Sequence, residues 1–225
     1  KLIFIQNHNS KINSENTVII PSEHNLKSEV SILKKKTKKA YFGKKYIIVD
    51  KKEKKLKKKK YIVVNFGGSD PKKITYKIVK MLNKIKFKYK TNVLLGIDNK
   101  QRSSINKINK LPNIKIRKFN KKILYNATMA ITSFGITAYE LIHNNVFSLH
   151  ISHSKKHSIG AKILENKFKL SKDLGEYNNL NIKEFEKKTY FYWNYLTKNN
   201  TKIKFNKLKL SENSLKNNIR VILNA

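Results

Sequence analysis

YIVVNFGGSDPKK, residues 61–73, is the stretch that decides the fold of this chain. The apolar residues that end at Phe66 predict a buried strand, Gly67 and Gly68 predict a tight turn, and a helical pattern begins at Lys72. A strand, a glycine turn and a helix start in this order present backbone N–H groups and a helix N-terminus to an anion. We therefore expect a phosphate-binding turn here. The alternative is an ordinary strand-to-helix connection that binds no ligand.

The polar residues of this turn have separate predicted tasks. Ser69 offers a hydroxyl to a ligand, and Asp70 is expected to cap the helix with Pro71 at its first position. Ligands of open parallel sheets bind beyond the carboxyl ends of the strands, which is where these residues are expected.

A second glycine turn, Ser133-Phe134-Gly135-Ile136-Thr137, ends another apolar run. Two such turns at one edge of a parallel sheet suggest a site for a nucleotide diphosphate. Glu140 lies three residues beyond Thr137 and shares a helical face with it, so its carboxylate suits the two hydroxyls of a ribose. The alternative is a capping box, in which Thr137 caps the helix and Glu140 bonds back to it.

Strands and helices are expected to alternate after residue 60, which predicts an α/β fold: a Rossmann-like parallel sheet with helices on both faces. Strands are predicted at 17–20, 46–49, 61–66, 92–97, 113–117, 129–133 and 146–151. Helices are predicted at 22–33, 72–86, 103–111, 120–127, 137–143, 156–166, 182–196 and 215–223. The lysine run 51–60 is predicted to be an exposed linker, so we expect domains at 1–59 and 60–225.

The charge balance is extreme, with 51 Lys and Arg residues against 14 Asp and Glu residues, a net charge of +37. Such a charge favours a nucleic-acid-binding module as an alternative function. Only Arg102, Arg117 and Arg220 are arginines, however, and arginine is preferred for reading bases and for bidentate phosphate contacts. Lys, Asn and Ile share A/T-rich codons, so a biased genome explains the balance. Non-specific binding to polyanions at low salt is expected in either case.

Several classes of protein are disfavoured by what the sequence lacks. There is no cysteine, hence no disulfide framework or thiolate metal site, and a reducing, cytoplasmic compartment fits. No apolar run approaches the roughly 20 residues of a membrane span, and no signal peptide is evident. The chain begins with Lys1 and not with Met, so we expect a fragment of a longer protein.

Sequence motifs also argue against metal and cofactor chemistry. No Ser-His-Asp order, HExxH, GxxxxGK[ST] or GxGxxG motif is present. His153 and His157 have the spacing of a helical metal pair but no third ligand nearby. We therefore expect no metal and no cofactor, and a hydrogen bond from His157 to a phosphate or sugar.

The aromatic run from Tyr190 to Tyr195 is open to two interpretations. It could stack on nucleic-acid bases, but it has no interleaved arginine and its residues have helical spacing. A helix that packs against the sheet or against another domain is the preferred prediction.

Four segments in order resemble one family: FGGSDPKK at 66–73, AITSFGITAYEL at 130–141, ISHSKKHSIGAK at 151–162 and KDLGEY at 172–177. They are similar to the C-terminal half of GT-B-type proteins, in particular the SpsG proteins of spore-coat polysaccharide synthesis and the PseG UDP-sugar hydrolases of pseudaminic acid synthesis. Ile19–Glu23 and Gly43–Val49 extend the resemblance to roughly residues 17–177.

The resemblance implies two Rossmann-like domains that face each other across a cleft, with the nucleotide on the C-terminal one. Gly67, Gly68 and Ser69 would line the cleft, Ser133, Gly135, Ile136 and Thr137 would meet the diphosphate, and Glu140 would take the ribose. Lys118 and Phe119 would hold the base through backbone groups, and His157 matches a histidine that recurs in the SpsG-like branch. The implied ligand is a UDP-sugar.

Two departures from the family matter. PseG proteins tend to have Gly-Gly-Ser where this chain has Phe134-Gly135-Ile136, which favours the SpsG-like branch. The catalytic histidine of the hydrolases lies in the N-terminal domain, and residues 1–59 are expected to be only a remnant of that domain. We thus expect the UDP-sugar-binding half of a hydrolase or glycosyltransferase of surface-glycan synthesis, inactive without its missing half. A non-catalytic, degenerate GT-B domain is a further alternative.

Overall fold

The computed structural model describes residues 3–5, 12–22, 27–49, 59–198 and 213–224. Their contacts divide them into two compact units, one from Lys1–Lys51 with Lys209–Ala225 and one from Lys52–Leu208. Residues 51–58 of the predicted linker lie outside the described residues, as do Glu23 and Leu26 of the helix predicted at 22–33.

The unit from Lys52 to Leu208 is built on a six-stranded parallel sheet. Its strands are β4 (Lys59–Asn65), β5 (Thr91–Leu95), β6 (Ile114–Lys118), β7 (Ala127–Thr132), β8 (Phe147–Ser152) and β9 (Ser171–Glu176). The spatial order is β6-β5-β4-β7-β8-β9. The chain thus moves outward from β4 on one side and then crosses to β7 on the other. Such a reversal of strand order opens a crevice at the strand ends, where ligands of this fold class bind.

Helices cover both faces of this sheet. They are α2 (Ile74–Lys84), α3 (Arg102–Ile108), α4 (Lys121–Asn126), α5 (Ile136–His143), α6 (Lys155–Phe168) and α7 (Ile182–Lys198). Alternate residues of β4 enter different cores: Ile62 packs with residues of α2, α3 and α7, whereas Val63 packs with residues of α4 and α5. This alternation is the period of a strand buried on both faces, and it confirms the predicted fold class.

The other unit contains a three-stranded parallel sheet in the order β1-β2-β3. Its elements are β1 (Ile3–Ile5), β2 (Thr17–Ile20), α1 (Lys27–Lys36), β3 (Ala40–Phe42), a 3-10 turn (Lys44–Tyr46) and α8 (Ser214–Leu223). The last helix was expected in the domain 60–225, but it packs with the first unit. Asn218 donates to the carbonyl of Tyr46 at 3.0 Å, and Val221 packs with Ile19 and Tyr46.

Most of the predicted elements lie where the sequence placed them, and the exceptions are short. The strand predicted at 46–49 is wrong: Lys44–Tyr46 form a 3-10 turn instead, and the third strand is Ala40–Phe42. Gly43, with φ at 103°, turns the chain between the two. Strands β1 and β9 were not predicted, because one has only three residues and the other carries Lys, Asp and Glu.

The aromatic run of α7 confirms the packing interpretation. Trp193 is buried, with its ring 4.8 Å from that of Tyr89, and Tyr192 stacks on Phe147 at 4.6 Å. Phe191 and Tyr195 of the same run are exposed. None of the described helices has both the length and the apolar character that crossing a bilayer requires.

Candidate functional site

A cavity of about 690 Å³ opens at the carboxyl ends of β4, β5 and β6. Its lining combines glycine backbone, two cationic side chains and three amide or hydroxyl side chains. The lining residues are Asn65, Gly67, Gly68, Leu95, Gly96, Ile97, Asn99, Arg102, Lys118, Phe119 and Thr137. Its volume lies within the range of small-molecule sites. Since Arg102 and Lys118 are its charged lining residues, the cavity suits an anionic ligand.

The turn at Gly67-Gly68 and the turn at Gly96 form one wall of this cavity, and their backbones are in direct contact. A Cβ on Gly96 would lie 2.3 Å from the carbonyl oxygen of Gly68, so only glycine fits there. Gly67 adopts φ of 86°, which favours glycine as well. Asn65 joins the two strands below the turn, because its side-chain amide donates to the Leu94 carbonyl at 2.8 Å.

The N-terminus of α2 is occupied by the chain's own carboxylate. Asp70 is buried, and its two oxygens accept the N–H groups of Ile74 at 2.9 Å and Thr75 at 2.8 Å. The predicted cap is therefore confirmed, but Pro71 lies in the turn before the helix, which begins at Ile74. The expectation that this helix end receives an anionic ligand is wrong, because the two N–H groups are already bound.

The N-terminus of α5 differs, since its N-cap residue, Gly135, has no side chain that could cap the helix. Gly135 is the N-cap residue and the helix begins at Ile136, so Thr137 lies within the first turn and the capping-box alternative does not hold. The N–H groups of the first turn have no acceptor inside a helix. Because Thr137 also lines the cavity, this helix end and the cavity form one continuous site.

The loop after β6 forms the opposite side of the cavity. Phe119 is 38% exposed, and its N–H donates to the carbonyl of Leu95 at 2.8 Å. Because this N–H is already bound, the backbone group of Phe119 that could contact a base is its carbonyl, and the Phe119 ring could also contact the base. Lys118, also exposed, adds a cation at the same edge.

The structure brings five of the predicted site residues into the cavity lining, and the others lie outside it. The five are Gly67, Gly68, Lys118, Phe119 and Thr137. The others are Ser69, Ser133, Gly135, Ile136, Glu140 and His157. Ser69 is exposed on the β4–α2 turn, and Ser133 is buried at the end of β7. Glu140 lies one turn into α5, between the buried residues Tyr139 and Leu141.

Four lining residues were not predicted as part of the site: Gly96, Ile97 and Asn99 of the β5–α3 loop, and Arg102, the first residue of α3. A usable signal was present, because Gly96 follows the apolar residues 93–95 just as Gly67 follows the run that ends at Phe66. Arg102 is one of three arginines in the whole chain, and its guanidinium can hold a phosphate in a bidentate manner.

A second group of polar residues lies beyond the β7–α5 turn. Phe134 is buried against α6, where a Cβ on Gly160 would approach its ring to 2.7 Å. The Phe134 ring also meets the His157 ring at a centroid distance of 6.4 Å. Thus the glycine in HSIGAK serves the packing of Phe134, and His157 lies next to the β7–α5 turn.

Burial lowers the pKa of both His153 and His157. For His153 the nearby Asp70 opposes this effect and Lys72 adds to it. For His157 the charges of His153 and Lys156 lower the pKa further. His150 is completely buried, and burial lowers its pKa to about 4, so it is neutral near pH 7.

No cluster of three or more His, Asp or Glu side chains that could hold a metal ion occurs within the described residues.

Comparison with solved structures shows the fold. MurG of Acinetobacter baumannii superposes with a TM-score of 0.62 at 14% identity, covering 93% of this chain and 67% of MurG. TarM superposes with a TM-score of 0.55 at 13% identity, covering 91% of this chain and 43% of TarM. A UDP-GlcNAc 2-epimerase of Methanocaldococcus jannaschii, solved with UDP-GlcNAc and UDP, gives a TM-score of 0.52 at 14% identity and coverage of 76% and 46%.

The chain thus has the Rossmann-like fold of GT-B glycosyltransferase domains. It spans about half the length of most of these structures and two thirds of MurG. No protein-family model matches the chain, and its sequence matches no curated protein.

Proposed function

We propose that this chain is the UDP-sugar-binding part of a GT-B-type enzyme that acts at the sugar–phosphate bond. One observation carries the proposal: glycines, a lysine, an aromatic residue and a helix-start threonine from three separate segments line one cavity. Gly67 and Gly68 come from the first strand end, Lys118 and Phe119 from the third, and Thr137 from α5. These are residues to which the SpsG and PseG resemblance assigns nucleotide contacts.

The ligand's parts fit distinct portions of the site. The base lies against the Phe119 ring and the backbone at Lys118, where Arg102 adds a cation. The diphosphate accepts hydrogen bonds from the N–H groups of Ile136 and Thr137 and from the Thr137 hydroxyl, because an uncapped helix N-terminus favours an anion.

The ribose and the sugar contact the remaining residues of the proposed site. Glu140, one turn into α5, accepts the ribose hydroxyls. Gly67, Gly68 and Ser69 shape the side of the site toward the sugar, while Ser133 and Gly135 hold the backbone of the diphosphate turn.

The reaction proposed for the whole enzyme is hydrolysis or sugar transfer in surface-glycan synthesis, in the SpsG-like branch. Its catalytic residue is expected in a facing domain, of which residues 1–59 are a proposed remnant. A cytoplasmic location remains a prediction from the cysteine-free sequence.

Isothermal titration calorimetry with UDP and with UDP-N-acetylglucosamine tests the proposal. We expect saturable binding of both, weakened about tenfold or more by Glu140→Ala, because the loss of hydrogen bonds to a charged group costs roughly 1.5–3 kcal/mol. Glu184→Ala is the matched control, since Glu184 lies in the first turn of α7 and outside the proposed site. Absence of binding, or equal binding by the Glu140→Ala variant, contradicts the proposal.

A further inference from the structure

Two imidazole rings form a contact pair just beyond the diphosphate turn. His153 follows β8 and His157 lies in the first turn of α6, and their ring centroids are 5.1 Å apart at an interplanar angle of 76°. Nδ1 of His157 lies 2.9 Å from the hydroxyl of Ser154, which orients the ring. Nδ1 of His153 is buried and has no hydrogen-bond partner in the part of the chain that the structure describes.

Three strand-end turns converge on this pair. The His157 ring packs edge-on against Phe134 of the β7–α5 turn. The charges of Asp70 and Lys72, from the β4–α2 turn, act on His153, and Lys156 of α6 acts on His157. The pair is therefore placed next to the uncapped start of α5, where the diphosphate is proposed to bind.

Burial and the charges around the pair disfavour protonation of both rings while the site is without an anion. Lys72, Lys156 and the neighbouring ring disfavour a second positive charge, and burial acts in the same direction. Asp70 is the acidic group that opposes them. Its carboxylate is already shared by the N–H groups of Ile74 and Thr75 and by the Gln101 side chain. An arriving diphosphate changes this balance, because it brings full negative charges beside the rings.

We propose that His153 and His157 act as a proton-linked clamp, which takes up a proton from solvent when the diphosphate of a nucleotide sugar binds. This inference rests on the proposed function and adds a pH dependence to it. Protonation turns both nitrogens of a ring into donors, so a protonated His157 ring can donate to the Ser154 hydroxyl and to a phosphate oxygen at once. No covalent bond changes; one proton passes from solvent to the imidazole pair and leaves with the ligand.

Linkage sets the sign of the effect. Because the bound state holds more protons than the free state, affinity rises as the pH falls through the range between the free and the bound pKa values of the pair. We expect affinity for UDP-N-acetylglucosamine to rise between about threefold and tenfold from about pH 8 to about pH 6.5, since one pKa unit corresponds to a tenfold change. UDP-N-acetylglucosamine is the right probe, because its diphosphate is esterified at both ends and does not itself titrate in this range.

Calorimetry of the whole chain in two buffers of different ionisation enthalpy counts the protons directly. The expected result is uptake of about half a proton to one proton near pH 6.5 and almost none near pH 8, because the bound diphosphate should raise the lowered pKa of the pair to or above the ordinary histidine value of about 6.5. His153→Gln and His157→Gln should each reduce the uptake and the double variant should abolish it. His143→Gln, at the far end of α5, is the control that should retain it.

The outcomes separate this inference from the function on which it rests. Binding without proton uptake near pH 6.5, or uptake that persists in the double variant, overturns the clamp while the nucleotide-sugar site stands. No binding at any pH overturns both. If the double variant does not fold, NMR titration of the histidine rings in the unaltered chain decides the matter: two ring pKa values must rise when UDP-N-acetylglucosamine is added, and unchanged values contradict the clamp.

Discussion

Single residues determine which strand-end turn is open to a ligand. Asp70 uses both carboxylate oxygens to cap α2, so the turn of FGGSDP contributes its glycine backbone and not its helix end. Gly135 supplies no side chain to α5, whose first N–H groups therefore remain available. One carboxylate and one glycine are thus the reason that the proposed anion site lies at the second turn and not at the first.

Replacement of Asp70 should lower the stability of the folded chain. Asp70→Ala removes a buried cap and its bond to Gln101, so we expect the free energy of unfolding to fall by about 2–4 kcal/mol. Chemical denaturation measures the change. Asp98→Ala is the matched control, because Asp98 is exposed on the β5–α3 loop and should cost little. Equal stability of the two variants would refute the role of Asp70.

The contact between Gly96 and Gly68 gives a second prediction. Gly96→Ala places a Cβ 2.3 Å from the Gly68 oxygen, and such crowding should destabilise the fold by about 1–3 kcal/mol. Gly68→Ala meets no atom within 4 Å, so its stability should be close to that of the unaltered chain. Thermal unfolding of both variants provides the comparison, and a tolerated Gly96→Ala would mean that the two turns do not touch.

At the scale of elements, local pattern predicted the sheet of the larger unit but not its extent. The runs at β4, β5, β7 and β8 are apolar and end in turns, and all four were placed from the sequence. Strand β9 was missed because its sequence, SKDLGE, has one apolar residue and no alternating pattern, and its pairing with β8 is not visible in the local sequence. The misplaced strand at 46–49 has an apolar sequence, but its position after Gly43 turns it out of the small sheet.

The site was predictable only in part for a similar reason. Gly67, Gly68 and Thr137 were predicted because glycine turns and a helix start are visible in the sequence. Arg102 and Asn99 line the cavity because β5 lies beside β4, and sequence spacing alone does not give that neighbour. The contact of His153 with His157 likewise depends on where α6 begins, which is at Lys155 between them.

Strand β8 carries a titratable group whose effect on stability has a definite sign. His150 is buried and its pKa is lowered to about 4, whereas the unfolded chain titrates near 6.5. Between about pH 6.5 and pH 4 the unfolded state therefore binds a proton that the folded state does not. The free energy of unfolding decreases by up to roughly 3 kcal/mol as the pH is lowered through this range. Urea denaturation across this range should show the loss, and His150→Gln should remove that part of it. An identical pH profile in the variant would contradict the assignment.

At the scale of the whole molecule, charge dominates how the chain meets other molecules. A net charge of +37 leaves most of the 51 basic residues without an acidic counterpart. This charge attracts any polyanion. The alternative of a nucleic-acid-binding module therefore has to be distinguished from binding that depends on charge alone.

Binding to heparin, single-stranded DNA and duplex DNA should lose affinity steeply and alike as salt increases. Contacts with six to ten phosphates predict a loss of about 10³ to 10⁵ between 50 mM and 200 mM salt. Fluorescence anisotropy at several salt concentrations measures the slopes. Tight binding at moderate salt with a preference for one base sequence would favour the nucleic-acid module over the nucleotide-sugar site.

The most direct test of the central claim is a crystal structure of the chain with UDP bound. The diphosphate should lie within hydrogen-bond distance of the N–H groups of Ile136 and Thr137, with the base beside Phe119 and the ribose hydroxyls on Glu140. UDP bound elsewhere, or held only by surface lysines with the α5 N-terminus empty, would contradict the account.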